Sequence, residues 1–199
     1  MICRKCDEES LLIASDYLRR GKIVILPTDT VYGFSGIVNG RHYSFGTDKK
    51  IDEIKGRSEN KKLIQLISKP EDIKKYTRDV IPEELFKLWP GPLTIIVHVL
   101  KKLGEFDTVA FRCPEDPWLR KVIEICGAPI YSTSVNFSGQ ECINNVSEIK
   151  NQFGSKVDLI VDDGDKSDGI PSTVVKIDEE GKLSILRQGK VEIDLNLFN

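Results

Sequence analysis

Hydroxyl, amide and cationic side chains are concentrated in three short stretches of this 199-residue sequence. The stretch 132–139 places four hydroxyls, one amide and a glycine within eight residues, and Thr28 and Thr30 flank Asp29 in a second stretch. The third stretch is Lys55-Gly56-Arg57, in which the guanidinium offers a planar fork for phosphate and the ammonium a mobile point charge. Together these residues favour recognition of an anionic ligand. Each stretch alone is also compatible with an ordinary polar turn or helix end.

Nucleophilic, acid–base and metal catalysis receive little support from the sequence. His42 and His98 do not stand near Cys or Ser in a catalytic arrangement, and there is no signature of paired carboxylates. Cys3 and Cys6 form a lone CxxC beside the N-terminus without recognisable further ligands, and we interpret the pair as incidental. P-loop and Rossmann glycine motifs are absent. We therefore expect no metal held by the protein, and chemistry that the substrates carry out themselves.

Composition and charge indicate a globular protein with a sizeable core. Hydrophobic residues make up 40% and charged residues 30% of the chain, and the formal net charge of −2 gives no global sign of a nucleic-acid-binding protein. Five cysteines without a regular spacing argue against a secreted disulfide scaffold, and no run approaches the roughly 20 apolar residues of a membrane span. We expect a single domain over residues 1–199, located in the cytoplasm.

The chemically promising stretches follow predicted secondary-structure elements. A buried strand is expected over 22–26, a strand over 128–131 that ends where the hydroxyl-rich stretch opens, and a helix from 47 or 48 to about 54 with Thr47 or Asp48 as its N-cap. We also predict helices over 8–20, 71–76, 82–88, 118–126 and 146–152, strands over 63–68, 95–100, 108–112 and 157–161, and a final hairpin of 171–177 and 183–187. The segment 93–112 and the final hairpin look antiparallel, so the pattern predicts an α/β fold with a twisted, mixed, open sheet and helices on its faces.

The chain resembles the YrdC-like threonylcarbamoyl-AMP synthases. Seven matching words occur in the family's order over nearly the whole chain: 27–33 (PTDTVYG), 55–57 (KGR), 90–94 (PGPLT), 112–114 (RCP), 132–139 (STSVNFSG), 171–175 (PSTVV), and Arg187 with Gly189. The resemblance implies a large concave, electropositive cavity in a YrdC-like fold. It also implies a nucleotidyltransferase that joins ATP, L-threonine and bicarbonate or CO2 into threonylcarbamoyl-AMP and pyrophosphate. Partner proteins would then pass the threonylcarbamoyl group to an adenosine beside the anticodon of certain tRNAs.

The resemblance also assigns roles to individual residues. The catalytic K-x-R and S-x-N tetrad falls on Lys55, Arg57, Ser134 and Asn136, which would also bind the nucleotide together with Lys61 and Arg187. Threonine would be held by Thr30, Arg112, Ser132 and Ser172, with Arg112 pairing its carboxylate. Mg²⁺ is expected to bridge the phosphates of ATP, mostly through water.

The sequence departs from the family's pattern at several places. Leu66 stands where some relatives have a histidine, and the loop 39–50 differs from the expected pattern, so the threonine wall and the cleft rim are open to variation. The chain ends soon after Gly189, which predicts the short, single-domain form.

Two alternatives compete with the synthase. One is an RNA-binding module or a diverged paralogue without synthase activity, and weak RNA binding is expected of the synthase as well. The other is an adenylating unit for a different carbamoyl substrate, as in hydrogenase maturation proteins. The latter is disfavoured because acylphosphatase-like and zinc-finger segments are absent.

Overall fold

The computed structural model describes residues 1–40, 44–57, 62–103, 106–166 and 169–194. The strands are β1 (Ile2–Arg4), β2 (Val24–Leu26), β3 (Gly33–Ile37), β4 (Ile64–Leu66), β5 (Leu93–Leu103), β6 (Phe106–Arg112), β7 (Ile130–Ser134), β8 (Leu159–Asp162), β9 (Thr173–Ile177) and β10 (Leu183–Arg187). The helices are α1 (Ser10–Arg19), α2 (Thr47–Lys55), α3 (Glu83–Phe86), α4 (Pro117–Cys126) and α5 (Val146–Phe153), with a 3-10 helix over Pro70–Lys75. None of the helices described is long and apolar enough to cross a membrane.

In the described part of the chain the strands form one twisted sheet, in the order β1-β8-β2-β3-β7-β4-β6-β5-β9-β10. The sheet is mixed: β1 and β2 run parallel to β8, β4 to β6, and β5 to β9, whereas the other neighbouring pairs are antiparallel. The predicted α/β fold with a mixed open sheet is therefore confirmed. So are the antiparallel arrangement of the segment 93–112 and the final hairpin.

One half of the sheet is covered by helices on both faces. Val24 and Leu26 of β2 pack in an apolar cluster with residues of α1 and α4, whereas Ile25 between them packs with residues of α2 and α5. This alternation follows from the two-residue period of a strand, and it explains why the whole of β2 is apolar.

The other half of the sheet has a different arrangement. Ile95 of β5 and Phe111 of β6 are fully buried in an apolar cluster with residues of the 3-10 helix and α3. Their neighbours in sequence, Thr94, Ala110 and Arg112, point to the opposite face and line a cavity. The strand period thus separates core residues from the floor of this cavity.

Local signals explain several element boundaries. The Asp116 carboxylate accepts hydrogen bonds from the backbone N–H groups of Trp118 and Leu119 at 2.9 and 3.2 Å, and Pro117 follows it, so α4 begins with a side-chain cap. Gly127 ends α4 and Gly56 ends α2, both in the left-handed conformation that glycine adopts without strain. The predicted ends of these two helices are confirmed.

Other boundaries differ from the predictions. The N-cap of α2 is Gly46 rather than Thr47 or Asp48, and the Thr47 hydroxyl instead donates to the Ile37 carbonyl at 2.6 Å. The helix predicted over 71–76 is a 3-10 helix, and the strand predicted over 63–68 is shortened to β4. Strand β1 was not predicted, because three residues beside a terminus carry too little periodicity.

Candidate active site

A cavity of about 500 Å³ lies over the middle strands of the sheet. Strand β7 runs on to Ser134, so the first half of the hydroxyl-rich stretch belongs to the sheet and not to the predicted loop. The pairing of β7 with β3 and β4 brings this stretch beside the segment that follows β2. The cavity is lined by eight of the predicted site residues: Thr30, Arg57, Arg112, Ser132, Ser134, Asn136, Ser172 and Arg187.

Arg112 is the most deeply buried cation of the cavity, with 5% of its surface exposed. Its Nε donates to the Gly91 carbonyl at 3.1 Å, and its Nη1 donates to the Thr30 hydroxyl at 2.8 Å. Thr28 lies 2.9 Å from Thr30, oxygen to oxygen. The proline-rich turn before β5 and the segment after β2 therefore fix the guanidinium from two sides.

The third side of the Arg112 guanidinium faces the carboxylate of Asp29. Oδ2 of Asp29 lies 2.7 Å from Nη2 and forms an ion pair with it. Burial lowers the pKa of Arg112, whereas Asp29 acts in the opposite direction. A buried guanidinium at the edge of a cavity is suited to bind a carboxylate.

Ser172 and Arg187 form a second group on this side of the cavity. The Ser172 hydroxyl lies 2.8 Å from that of Thr94, and Arg187 donates to the Ser172 carbonyl through Nε at 3.0 Å and Nη2 at 2.8 Å. Nη2 also reaches the Ser172 hydroxyl at 3.2 Å. Burial and the charge of Arg112 both lower the pKa of Arg187, and both arginines line the cavity.

The opposite wall carries Arg57 and the turn after β7. Arg57 pairs with Asp52 at 3.3 Å, and its Nη2 donates to the Thr133 hydroxyl at 3.3 Å. Its Nε is buried without an acceptor in the described part of the chain. The Ser134 hydroxyl donates to Asn136 Oδ1 at 2.7 Å. Arg57 and the Thr133 hydroxyl, which accepts from Arg57, thus offer donors that an anion could use.

Lys55 lies behind this wall rather than in it. The residue is 1% exposed and does not line the cavity. Its Nζ donates to the Ser134 carbonyl, to the Asn136 carbonyl at 2.9 Å and to Asn136 Oδ1 at 2.8 Å. The amide nitrogen of Asn136 donates to the carbonyls of Phe137 and Gln140 at 2.9 and 2.8 Å. Lys55 and Asn136 therefore brace the turn 134–140, and all three ammonium hydrogens are in use.

The electrostatic character of the cavity is positive. Its lining includes Arg57, Lys62, Arg112 and Arg187, and no carboxylate stands among the described lining residues. Burial, and next the charge of Arg57, lower the pKa of Lys55 to about 7. Such a cavity suits a ligand with several negative charges.

Three further predictions concern residues outside this arrangement. Lys61 lies outside the described residues, so its predicted contact with the nucleotide stays a prediction. Leu66, at the position where some relatives have a histidine, is buried in the apolar cluster of α1 and α4. Cys3 and Cys6 are free, and no group of three or more potential metal ligands occurs among the described residues.

Several residues around the site were not assigned a role from the sequence. Thr28 and Thr94 lie inside the matched words PTDTVYG and PGPLT, so their position in the words was the available signal. Asp29 and Asp52, which pair with the two arginines, do not line the cavity themselves. The pairing of each aspartate with its arginine leaves no mark in a linear pattern, because only the fold brings the two side chains together.

The chain is similar to known proteins. The model of the Sua5, YciO and YrdC family, described as "Telomere recombination", matches residues 16–189. The threonylcarbamoyl-AMP synthase of Pyrococcus abyssi is 32% identical over an alignment of 199 positions, which covers 96% of this chain and 57% of that protein. A putative threonylcarbamoyl-AMP synthase of Methanocaldococcus jannaschii is 37% identical over an alignment of 181 positions, which covers 87% of this chain and 82% of that protein.

Solved structures show the same fold. The crystal structure of P. abyssi Sua5 complexed with L-threonine is 33% identical to this chain, with a TM-score of 0.81. The alignment covers 95% of this chain and 57% of that one, so this chain spans little more than half the length of Sua5. Escherichia coli YciO is 21% identical, with a TM-score of 0.81 and a coverage of 98% and 96%.

Proposed function

Because the chain belongs to the Sua5, YciO and YrdC family, we propose that it is a threonylcarbamoyl-AMP synthase, a nucleotidyltransferase that uses ATP, L-threonine and bicarbonate or CO2. The products are threonylcarbamoyl-AMP and pyrophosphate. The family relationship supports the reaction class. The geometry of the cavity supports the assignment of substrates to its two sides.

The observation that carries the proposal is the presence of two separate sets of anion-binding donors in one cavity. Arg112 lines the cavity as a buried guanidinium, together with the hydroxyl-bearing residues Thr30 and Ser172. This set suits the carboxylate of a small amino acid such as threonine. The hydroxyl groups around it suit the polar substituents of the same amino acid. Arg57 on the other wall suits the phosphates of ATP. A single ligand with one charge would not require both sets.

The proposed reaction needs positioning more than covalent catalysis. The threonine amine attacks CO2 and loses a proton, which forms an N-carboxylate. A carboxylate oxygen then attacks the α-phosphorus of ATP, the bond from that phosphorus to the bridging oxygen breaks, and pyrophosphate leaves with the electron pair. The barrier is dominated by the approach of two anions, so Arg57 would stabilise the charge that develops on the phosphoryl oxygens.

For this mechanism we propose two kinds of role within the predicted tetrad. Arg57 and Ser134 line the cavity and would contact phosphate directly. Lys55 would act from behind the wall, by bracing the turn 134–140 and by contributing positive potential. Asn136 lines the cavity, but its amide is engaged by the turn, so we assign it a positioning role.

Mg²⁺ enters this proposal as part of the substrate MgATP. The lining offers hydroxyl and amide oxygens but no carboxylate among its described residues. These donors fit an ion that is held mainly by phosphate oxygens and water, with little direct ligation by the protein. The protein's contribution would then be to orient the phosphates.

We extend the proposal to the fate of the product. Threonylcarbamoyl-AMP is a reactive mixed anhydride, so partner proteins that transfer its acyl group to a tRNA adenosine would have to receive it promptly.

The five cysteines are free thiols in the structure, in keeping with the reducing conditions of the cytoplasm, which we propose as the location of the protein. Weak RNA binding by this chain stays a prediction.

The direct test is pyrophosphate release from MgATP and bicarbonate, measured with and without L-threonine. We expect release to depend on threonine and to fall sharply in Arg57→Ala. Arg20→Ala, which alters a surface arginine paired with Asp16, is the matched control and should behave like the parent. Release that is independent of threonine, or that requires a different carbamoyl donor, would reject the proposal in favour of another adenylating activity.

A further inference from the structure

We infer that Asp29 is the counter-ion of Arg112 in the empty cavity, and that it lowers the affinity for the amino-acid carboxylate by competing for the same guanidinium. The second half of this inference rests on the proposed function, because it takes the carboxylate of threonine as the ligand of Arg112. The first half concerns the protein alone.

Both partners of this ion pair are buried. Arg112 is 5% exposed, and the side chain of Asp29 is 9% exposed. Asp29 Oδ2 lies 2.7 Å from Arg112 Nη2. Taking a charged group out of water is costly unless an opposite charge is close. In the described structure each of these two buried charges therefore depends on the other.

The geometry indicates that Asp29 contributes charge rather than orientation. The guanidinium is already held by the Gly91 carbonyl through Nε and by the Thr30 hydroxyl through Nη1. The ion pair with Asp29 is a third contact, so the guanidinium keeps two fixed points without it. Removal of the negative charge should thus leave the guanidinium in place but uncompensated.

The position of Asp29 relative to the cavity gives the second half of the inference. Arg112 lines the cavity, whereas Asp29 approaches the guanidinium without lining it. A substrate carboxylate at the cavity side of Arg112 would share the guanidinium with Asp29 and would be repelled by it. At a separation of about 7 Å and an effective dielectric constant of about 20, this repulsion is large enough to change binding by tenfold or more. Asp29 thus stabilises the protein without ligand and weakens the binding of the substrate carboxylate.

The test is the isosteric substitution Asp29→Asn, studied in the intact chain. We expect a lower unfolding midpoint without ligand, a dissociation constant for L-threonine that is about tenfold smaller than that of the parent, and therefore a larger stabilisation by threonine. L-Threoninamide lacks the carboxylate, so its affinity should be equal in parent and variant.

Asp72→Asn is the matched control for a general loss of stability. Asp72 is a half-buried carboxylate outside the cavity, bonded to the Ser68 hydroxyl and the Lys69 backbone N–H. This variant should be destabilised with no change in threonine affinity. An unchanged or weaker affinity for threonine in Asp29→Asn would overturn the competitive role, since it would reveal a merely structural or orienting residue.

A second measurement tests the counter-ion role without threonine, and it also serves if Asp29→Asn does not fold. Arg112→Met should destabilise the protein, and Asp29→Asn added to it should restore stability, because both buried charges are then gone. A double variant no more stable than Arg112→Met would overturn the counter-ion role. Failure of the proposed function would look different, since the parent itself would show no stabilisation by threonine.

Discussion

At the scale of single residues, the site separates side chains that face the cavity from side chains that hold them. Arg57 and Arg112 face the cavity, and each pairs with an aspartate that does not line it. Lys55 belongs to the holding group, although a lysine two residues from an arginine would be expected beside the same phosphate. The spacing in the sequence thus predicted which residues lie close together, whereas burial separates those that line the cavity from those that hold them.

Loss of Arg57 should reduce turnover more than substrate binding. Removal of one donor aimed at charge that develops in a transition state typically lowers kcat by about 10² to 10³. We expect Arg57→Ala to fall in this range, with a KM for threonine within about twofold of the parent. The measurement is steady-state pyrophosphate release at saturating MgATP, and a loss of less than tenfold in kcat would contradict the assigned role.

Lys55 should make stability depend on pH in a defined direction. Its pKa falls from 10.5 to about 7 on folding, mainly because of burial. Below pH 7 the lysine is charged in both states, and the full cost of burying the charge is present. Above pH 7 the folded state releases the proton first, so this group makes the free energy of unfolding rise with pH, by up to about 1.4 kcal/mol per unit until the unfolded lysine titrates.

Urea denaturation of the parent and Lys55→Met at pH 6 and pH 9 measures this effect. The stability of the parent relative to the variant should increase between the two values. The carbonyl acceptors around Nζ favour the ammonium, so the increase should be smaller than the upper limit. A relative stability that falls as the pH rises would show that the lysine is stabilised as an ammonium ion in the folded state.

At the scale of elements, the cavity depends on close approaches of backbone that side chains cannot provide. A Cβ at Gly189 would lie 2.3 Å from the Pro171 carbonyl oxygen and 2.5 Å from the Ser172 carbonyl carbon. The segment after β10 therefore packs directly against the residues before β9, where Arg187 bonds the Ser172 carbonyl. The spacing of Arg187 and Gly189 in the sequence is explained by this contact.

Gly189→Ala should consequently displace Ser172 and impair the threonine side of the cavity. We expect an increase of at least fivefold in the KM for threonine, together with a loss of stability of about 1–3 kcal/mol. Gly127→Ala is the matched control, because Gly127 has a positive φ but open space around its Cβ. It should cost about 1 kcal/mol through backbone strain and leave both KM values unchanged. Equal kinetic behaviour of the two variants would refute the packing argument.

At the scale of the whole molecule, the sequence predicted the class of fold better than its details. The two-residue period and the glycine stops located most helices and strands, because the core requires them. The strand predicted over 128–131 ended too early, because the hydroxyl side chains that follow it indicated a loop. Pairing with β3 and β4 overrides this local preference and extends β7 to Ser134. The pairing of Asp29 with Arg112 and of Asp52 with Arg57 could not be predicted, since only tertiary contacts bring these side chains together.

The apolar cluster beneath the turn 134–140 should matter for stability as well as for the site. Phe153 of α5 is fully buried and contacts Phe34 of β3 and Phe137 beside Asn136, with ring centroids 5.0 and 4.8 Å apart. We expect Phe153→Ala to cost about 3–5 kcal/mol, because it leaves a cavity in the core. Denaturant titration provides the measurement, and a cost below 1 kcal/mol would show that this face of the sheet is loosely packed.

The central claim is that one cavity joins three substrates into one product. The most direct measurement supplies tritiated L-threonine, ¹⁴C-bicarbonate and α-³²P-ATP together and isolates the nucleotide product. The account predicts a product that carries the three labels in equal amounts, formed in step with pyrophosphate. A labelled nucleotide that lacks ¹⁴C or tritium, or pyrophosphate formed without such a product, would contradict it.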